Sequence, residues 1–324
     1  MKKSAVVFGG AGFIGSHLLA RLARSGAYER LIAVDLKPAR FTTPGVEYLR
    51  LDVREAIPTE ICPGVSEIYN FAAVHITPGH QDWEYFWTNV RGASNICEFA
   101  RASGVRHIVF TSSIAVYGAT EAVKDESSAP EPESAYGRSK LCAEEIHRLW
   151  QREDPARRLV IVRPAAIYGR AEAANFTRLA RLLSKGRFIY PGRTDTIKAC
   201  GYVKDLVRSM EFMLERCQGV ETYNFCHARR YTTAEICAAF SAVAGFPQAR
   251  LRIPLQPMLA AGWAFEMAAH AGIRTSINRA RVLKLVRSNN IEPGRLKQSG
   301  FRYGYDLASS LADWHRESGV KSFA

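Results

Sequence analysis

Along the first half of the chain, short runs of β-branched and other apolar residues alternate with segments whose apolar positions recur at helical spacing. The runs predict strands at Ala5–Gly9, Leu31–Asp35, Val46–Asp52, Glu67–Ala72, Arg106–Ser112 and Leu159–Arg163. Between them His17, Leu18, Leu19, Leu22 and Ala23 fall on one helical face, as do Val90, Ile96, Cys97, Phe99 and Ala100, and again Leu141, Ile146, Leu149 and Trp150. Strands alternating with helices predict βαβ units, hence a doubly wound α/β fold with a parallel sheet covered on both faces. The segment from Leu36 to Gly45 is too short and too rich in Pro and Thr for a crossover helix, so it predicts a loop. Past Pro164 the pattern loosens into helices and short strands with prolines at 191, 247, 254, 257 and 293. The expected division is therefore 1–164 for the sheet domain and 165–324 for a smaller α/β substrate domain, some of whose segments cross back. No internal repeat or low-complexity tract is present.

Composition narrows the class. With 324 residues, 47% of them hydrophobic, the chain can bury a full core, which excludes a disulfide knot or a disordered tail. Its net charge of +13 directs attention to anionic partners or to a merely basic surface. That charge is dispersed among apolar helical positions and not gathered in a tract, so nucleic-acid binding is not expected. Seven scattered cysteines without a C-x-x-C pair support neither disulfides nor zinc, and the eight histidines lack ligand spacing, so no metal is expected. The longest apolar stretch, Met258 to Ala271, is interrupted by Glu266 and His270 and is too short for a membrane span. Met-Lys-Lys-Ser leads into a strand without an apolar export region, which reads as cytoplasmic.

The first candidate chemistry is Gly9-Gly10-Ala11-Gly12-Phe13-Ile14-Gly15, set between a strand and an amphipathic helix. In a Rossmann-type unit Gly9 permits the tight turn, Gly12 lets a pyrophosphate approach the backbone, and Gly15 lets helix and strand pack closely. The helix N-terminus supplies unpaired N–H groups and partial positive charge for the phosphates. Asp35 ends the second strand, where a carboxylate accepts from ribose hydroxyls and repels a 2′-phosphate, favouring NAD. Lys37 and Arg40 soften that discrimination, so NADP is not excluded. Asp52, followed by Val53, is placed either to hydrogen-bond adenine or to close a turn.

The second is a strand-end Ser112-Ser113, followed by Tyr136-Gly137-Arg138-Ser139-Lys140. Tyrosine and lysine four apart share a helix face. A nearby ammonium would lower the Tyr136 pKa towards the working range, letting the phenol take a proton from a substrate hydroxyl while Ser113 hydrogen-bonds that oxygen. Trp83, Tyr85, Phe86 and Trp87 form a dense aromatic run read as packing over the cofactor cleft and not as a base-stacking platform.

With these marks the chain resembles an extended short-chain dehydrogenase/reductase of the NAD-dependent epimerase/dehydratase family, in its branch of nucleotide-sugar 4-epimerases and 4-ketoreductases. Further matching motifs are Asn70-Phe-Ala-Ala73, Thr88-Asn89-Val90, Val116-Tyr117-Gly118, Arg163-Pro164 through Tyr168-Gly169, and Tyr202-Val203-Lys204-Asp205-Leu206, spanning about two thirds of the chain. The resemblance implies that Ser113, Tyr136 and Lys140 are catalytic. It further implies that Phe13, Ile14, Ala72, Ala73, Asn89, Ser112 and Arg163 join the cofactor site, and that Lys140 holds the nicotinamide ribose. It implies a nucleotide-diphosphate sugar as substrate, polysaccharide biosynthesis as setting, and a homodimer built on helices around residues 90–102 and 136–150. Asn70 departs from the family's usual histidine but keeps a polar contact. Dehydratases carry Thr-Asp-Glu where this chain reads Ser112-Ser113-Ile114, so redox or epimerisation at a single carbinol is favoured. Lys198 occupies the place of the family's diphosphate-binding arginine as a point charge without the bidentate fork. Asn175 and the pair Arg279 and Arg281 are further diphosphate candidates. The expected activity is 4-epimerisation of a nucleotide-hexose. Alternatives are a 4-keto-sugar reductase, a hydroxysteroid-type dehydrogenase, or a non-catalytic dinucleotide sensor, and the last is disfavoured by the intact Ser113, Tyr136 and Lys140.

Overall fold

The computed structural model describes residues 3–76, 79–270, 279–319 and 323. Its centre is a seven-stranded sheet of β1 (Lys3–Phe8), β2 (Tyr28–Asp35), β3 (Val46–Arg50), β4 (Glu67–Asn70), β5 (His107–Thr111), β6 (Arg158–Pro164) and β7 (Val220–Phe225). The spatial order is β3-β2-β1-β4-β5-β6-β7, and every neighbouring pair is parallel. The six expected strands are all present, and Leu36–Gly45 contains no helix. The seventh strand, Val220–Phe225, comes from beyond Pro164, so the C-terminal half completes the sheet.

The helices are α1 (Phe13–Ser25), α2 (Asp82–Ala102), α3 (Ala135–Arg152), α4 (Asn175–Ser184), α5 (Val203–Arg216), α6 (Thr233–Ala244), α7 (Leu255–His270), α8 (Arg279–Val286), α9 (Gly294–Gln298) and α10 (Leu307–Glu317). Side-chain alternation sorts them onto two faces. Ala5 and Val7 of β1 point to one face, where Leu18, Leu19 and Leu22 of α1 meet Leu206 and Met210 of α5. Val6 and Phe8 point to the other, where Ala93, Ile96 and Phe99 of α2 meet Ala143 and Trp150 of α3. The fold is thus doubly wound, with both faces sealed, as the unbroken apolar strands require.

A separate core lies in the C-terminal part. Tyr168, Phe176, Tyr202, Phe240, Leu311 and Trp314 pack together there, tying α4, α6 and α10 to the short ladder of Ala166–Tyr168 with Cys200–Tyr202. Two more short ladders pair Thr120–Lys124 with Asn289–Ile291 and Tyr190–Pro191 with Arg252–Ile253. All seven cysteines are free, and six of them are buried.

Candidate active site

The sheet order reverses between β1 and β4, and in such sheets ligands bind at the carboxyl ends of the strands beside that switch point. A cavity of about 1000 Å³ opens there. It is lined by the loop from Gly9 to Gly15, by segments 35–40, 51–54, 71–76, 111–113 and 164–167, by Tyr136 and Lys140, and by residues 172–176 with Arg178.

The glycine loop fits a dinucleotide on its own geometry. Gly9 has φ +75, and a Cβ there would lie 2.7 Å from the Ala72 amide nitrogen; a Cβ on Gly15 would lie 2.5 Å from the Gly9 carbonyl oxygen. Strand, turn and helix therefore approach more closely than any side chain allows. No side chain caps α1 at Gly12, so its first N–H groups face the cavity with their partial positive charge available. Phe13, Ile14, Asp35, Val53, Ala72 and Ala73 line the same wall, as do Lys37 and Arg40. Asp35 accepts a hydrogen bond from the Lys37 amide at 3.1 Å. The Asp52 carboxylate lines the wall too, but it closes a turn on the Arg54 amide and pairs with the Arg54 guanidinium, which holds its pKa below the ordinary value. The Thr111 hydroxyl is buried in the lining without a hydrogen-bond partner, a polar group that a bound ligand would satisfy. These residues suit the dinucleotide that the glycine pattern predicts.

The catalytic candidates meet at the floor. Ser113 caps the turn after β5, accepting from the Ala115 amide at 3.1 Å, and it lines the cavity with Tyr136. Gly137 makes this junction possible, because a Cβ there would overlap the Ala115 carbonyl. Lys140 is 2% exposed, and its ammonium lies 4.5 Å from the centre of the Phe110 ring. His147 stacks on that ring at 4.2 Å. Its Nδ1 donates to the Ala143 carbonyl at 2.7 Å, leaving Nε2 to accept from Asn70 Nδ2 at 3.2 Å. Asn70 thereby keeps the polar contact expected of it.

The titration of this group differs from expectation. Burial pushes the Tyr136 phenol up, against the lowering influence of the Ser113 hydroxyl, and burial drives Lys140 down to about 7. The expected lowering of Tyr136 by Lys140 is absent because the lysine, shut in apolar surroundings, itself resists carrying charge. His147 is likewise lowered by burial, to about 4, and stays neutral.

Other candidates lie elsewhere. Asn89 is buried behind the wall: its Oδ1 accepts from the Val74 amide at 2.8 Å, and its Nδ2 donates to Val74 O and to Ser139 Oγ. It fastens the 72–76 loop to α3 and is no part of the lining. Arg163 is also buried behind the site, with Nε and Nη2 2.8 and 2.7 Å from the Glu144 carboxylate and Nη1 donating to the Tyr117 hydroxyl at 2.7 Å. Burial raises the cost of ionising Glu144, but Arg163 and the Ser112 hydroxyl, at 2.6 Å, hold its pKa below the ordinary value. Arg163 thus positions Ser112 through Glu144 and does not face the cavity. Lys198 donates to the Arg287 carbonyl at 2.7 Å, and Arg279 pairs with Glu266; neither lines the cavity. The side chain of Arg281 lies outside the described residues. Asn175 does line it, at the first turn of α4.

Sequence reasoning missed Glu172, Arg178 and His75. Glu172 is a buried lining residue whose carboxylate accepts from the Ala174 and Thr177 amides, fixing the start of α4, just after Ala171 in the left-handed region at φ 68. Arg178 stands one turn past Asn175, and that i, i+3 spacing was the available signal. His75 follows the Ala72-Ala73 pair, and burial lowers its pKa. Of the aromatic run, Trp83 and Trp87 do edge the cavity, while Tyr85 donates to the Ile76 carbonyl. Among the described residues, no three His, Cys, Asp or Glu side chains gather as metal ligands.

Comparison with known proteins agrees with this geometry. The chain is 25% identical over 314 residues to N-acetyl-alpha-D-glucosaminyl-diphospho-ditrans,octacis-undecaprenol 4-epimerase of Escherichia coli O157:H7, covering 96% of this chain and 94% of that one. MoeE5 in complex with UDP-glucuronic acid and NAD superposes with a TM-score of 0.76 at 24% identity, over 97% of this chain and 99% of that one. UDP-glucose 4-epimerase of Thermotoga maritima, solved with UDP-glucose, gives a TM-score of 0.76 at 20% identity, again over 97% and 99%. These two structures share the fold. The profile of the NAD dependent epimerase/dehydratase family matches residues 5–226, and the chain belongs to that family.

Proposed function

We propose that the protein is an NAD-dependent 4-epimerase acting on a hexose carried on a diphosphate, with nucleotide-diphosphate sugars as the soluble substrates. The observation that carries this is that Ser113, Tyr136 and Lys140 line one cavity together with the glycine loop. NAD held by the glycine loop and Asp35 would supply a hydride acceptor and donor at the sugar C4, so that oxidation there and re-reduction on the other face need no further redox partner.

The chain's own residues do the rest. Tyr136 takes the proton of the C4 hydroxyl and later gives one back, while Ser113 hydrogen-bonds the same oxygen and holds it at the phenol. Lys140, with its pKa near 7, carries its charge only part of the time in the free chain, and bonds to ribose hydroxyls would stabilise the ammonium. Phe13 and Ile14, at the start of α1, offer backbone N–H groups to the pyrophosphate, and Asp35 selects an unphosphorylated ribose. Asn175 and Arg178, at the far end, are suited to the substrate diphosphate. The Escherichia coli relative is named for a sugar on a diphospho-polyprenol carrier; both carriers present the same diphosphate to this end. No carboxylate follows Ser113 to eliminate water, which favours epimerisation over dehydration.

The same reading assigns cofactor binding to the sheet domain (1–164) and substrate binding mainly to 165–324. It also assigns a homodimer to the outer face of α2 and α3, where Trp83, Trp87 and Leu149 are exposed; sedimentation at micromolar concentration tests it, and a monomer contradicts it. A cytoplasmic setting fits seven unpaired cysteines. The function is tested by incubating the protein with UDP-sugars and NAD. Two interconverting sugars without net change at 340 nm support the epimerase, whereas stoichiometric NADH formation or consumption identifies a simple oxidoreductase.

A further inference from the structure

The basic residues left without an ion pair are not evenly spread. On α4 the exposed face carries Arg178, Arg181 and Lys185, at i, i+3 and i+7, with Leu182 between them and no acidic residue on the helix. Arg178 lines the cavity. Six residues on, about 9 Å away, the helix ends beside Pro247, the nearest neighbour of Gly186. There Arg187, Arg250 and Arg252 are exposed around the short ladder of Tyr190–Pro191 with Arg252–Ile253. None of these six cations pairs with a carboxylate among the described residues.

The basic strip runs into an apolar surface. Leu251 and Ile253 are exposed on that ladder, and α7 follows directly. Trp263, Phe265 and Met267 on α7 are 54, 41 and 52% exposed. The helix carries one acidic residue, Glu266, and its carboxylate is taken by the Arg279 backbone N–H and guanidinium, both at 2.8 Å. A helix apolar on all sides ordinarily lies in a protein core or in lipid. This one packs mainly on α8 and leaves large side chains uncovered. At 16 residues it is too short to span a bilayer, and no described helix is long and apolar enough to do so.

We propose that α7, with Leu251 and Ile253, lies in the interface of an anionic phospholipid bilayer, with Arg181, Lys185, Arg187, Arg250 and Arg252 against its headgroups. Trp263 and Met267, four residues apart on one face of α7, enter the headgroup boundary with Leu251 and Ile253, while the cations of the neighbouring strip neutralise lipid charge. This docking brings the Arg178 end of the cavity close to the membrane plane, so the sugar diphosphate that the protein epimerises is one carried on a membrane lipid. This last step rests on the function proposed above; the docking itself does not.

The test is co-sedimentation of the full chain with vesicles of phosphatidylcholine alone and of equal parts phosphatidylcholine and phosphatidylglycerol. The wild type is expected to bind the anionic vesicles and to be released by salt, with affinity falling on the order of tenfold as the charge attraction is screened. Trp263→Asp with Met267→Asp, and separately Arg181→Glu with Lys185→Glu, are each expected to reduce binding on the order of tenfold or more. Both variants keep wild-type turnover of a soluble UDP-sugar, which also shows that they fold. A wild type that stays in the supernatant with both vesicles, or variants that bind as well as it does, overturns the proposal. So does a Trp263→Asp, Met267→Asp variant that binds vesicles normally but loses a dimer, since α7 then serves a second copy of the chain. A wild type that binds anionic vesicles yet converts no UDP-sugar and no polyprenyl-diphospho-sugar supports the docking and overturns the epimerase reading alone.

Discussion

The two ends of the cavity are built on different principles. At the cofactor end the chain path does the recognising: β1, the glycine turn and α1 approach so closely that Gly9 and Gly15 have no space for a Cβ, and the recognising groups are backbone N–H. At the substrate end the contacts come from side chains on a connecting segment. The Ala171 turn and the buried Glu172 carboxylate fix where α4 begins, and Asn175 and Arg178 project from it. A site made of backbone tolerates almost no sequence change, whereas one made of side chains on a loop can be re-specified without disturbing the sheet. One chain can thus hold a fixed cofactor while its substrate preference is set elsewhere.

The strongest way to sharpen this contrast is at the floor, where both ends meet. Tyr136→Phe removes the proton acceptor while keeping the ring, and turnover is expected to fall by about 10² to 10⁴-fold with NAD binding retained; steady-state rates beside a dinucleotide titration read it out. Next in size is the support behind the floor. Glu144→Gln leaves Arg163 buried without its counter-charge and is expected to cost about 3–5 kcal/mol in denaturant unfolding, far more than a surface pair.

A third change should stabilise. The Lys140 pKa, near 7, is depressed from its unfolded value, so between that pH and about 10 the unfolded chain binds more protons and stability rises with pH. Lys140→Met, freed of this penalty, is expected to melt higher than the cofactor-free wild type by the equivalent of a few kcal/mol at or below pH 7, with the advantage fading as pH approaches 10. A Tm series against pH checks the sign, and it should come with a large loss of activity. The smallest effect belongs to the far end. Glu172→Gln loosens the start of α4 and is expected to raise KM for the sugar several-fold, about 1 kcal/mol, with NAD affinity unchanged. A matching loss of NAD affinity would mean that the two ends are not independent.

What could be read from the residues follows the same division. The glycine loop, the alternation of apolar strands with amphipathic helices, and Tyr136 with Lys140 all carry short-range spacing, so they were legible before any coordinates. Arg163 and Asn89 were assigned to the cofactor and instead brace it from behind: a buried polar residue and a lining residue look alike in sequence, because only packing decides which way each points. Lys198 and Arg279 failed for a related reason, since their partners, the Arg287 carbonyl and Glu266, lie 89 and 13 residues away. The Tyr136 titration was misjudged because burial of Lys140 depends on Phe110 and His147, which come from a strand and a later helical turn. The exposure of α7 was invisible for the same reason, as an apolar helix reads identically whether it is covered or not.

The central claim is that one carbon is oxidised and reduced again in this cavity while Tyr136 handles the proton. It is tested most directly with a UDP-hexose deuterated at C4, followed by mass spectrometry and NMR of the product. The expected product is an epimer that keeps its deuterium at C4, with no label in solvent and no net NADH. Deuterium lost to solvent, or appearing on added NAD in step with product, would contradict it.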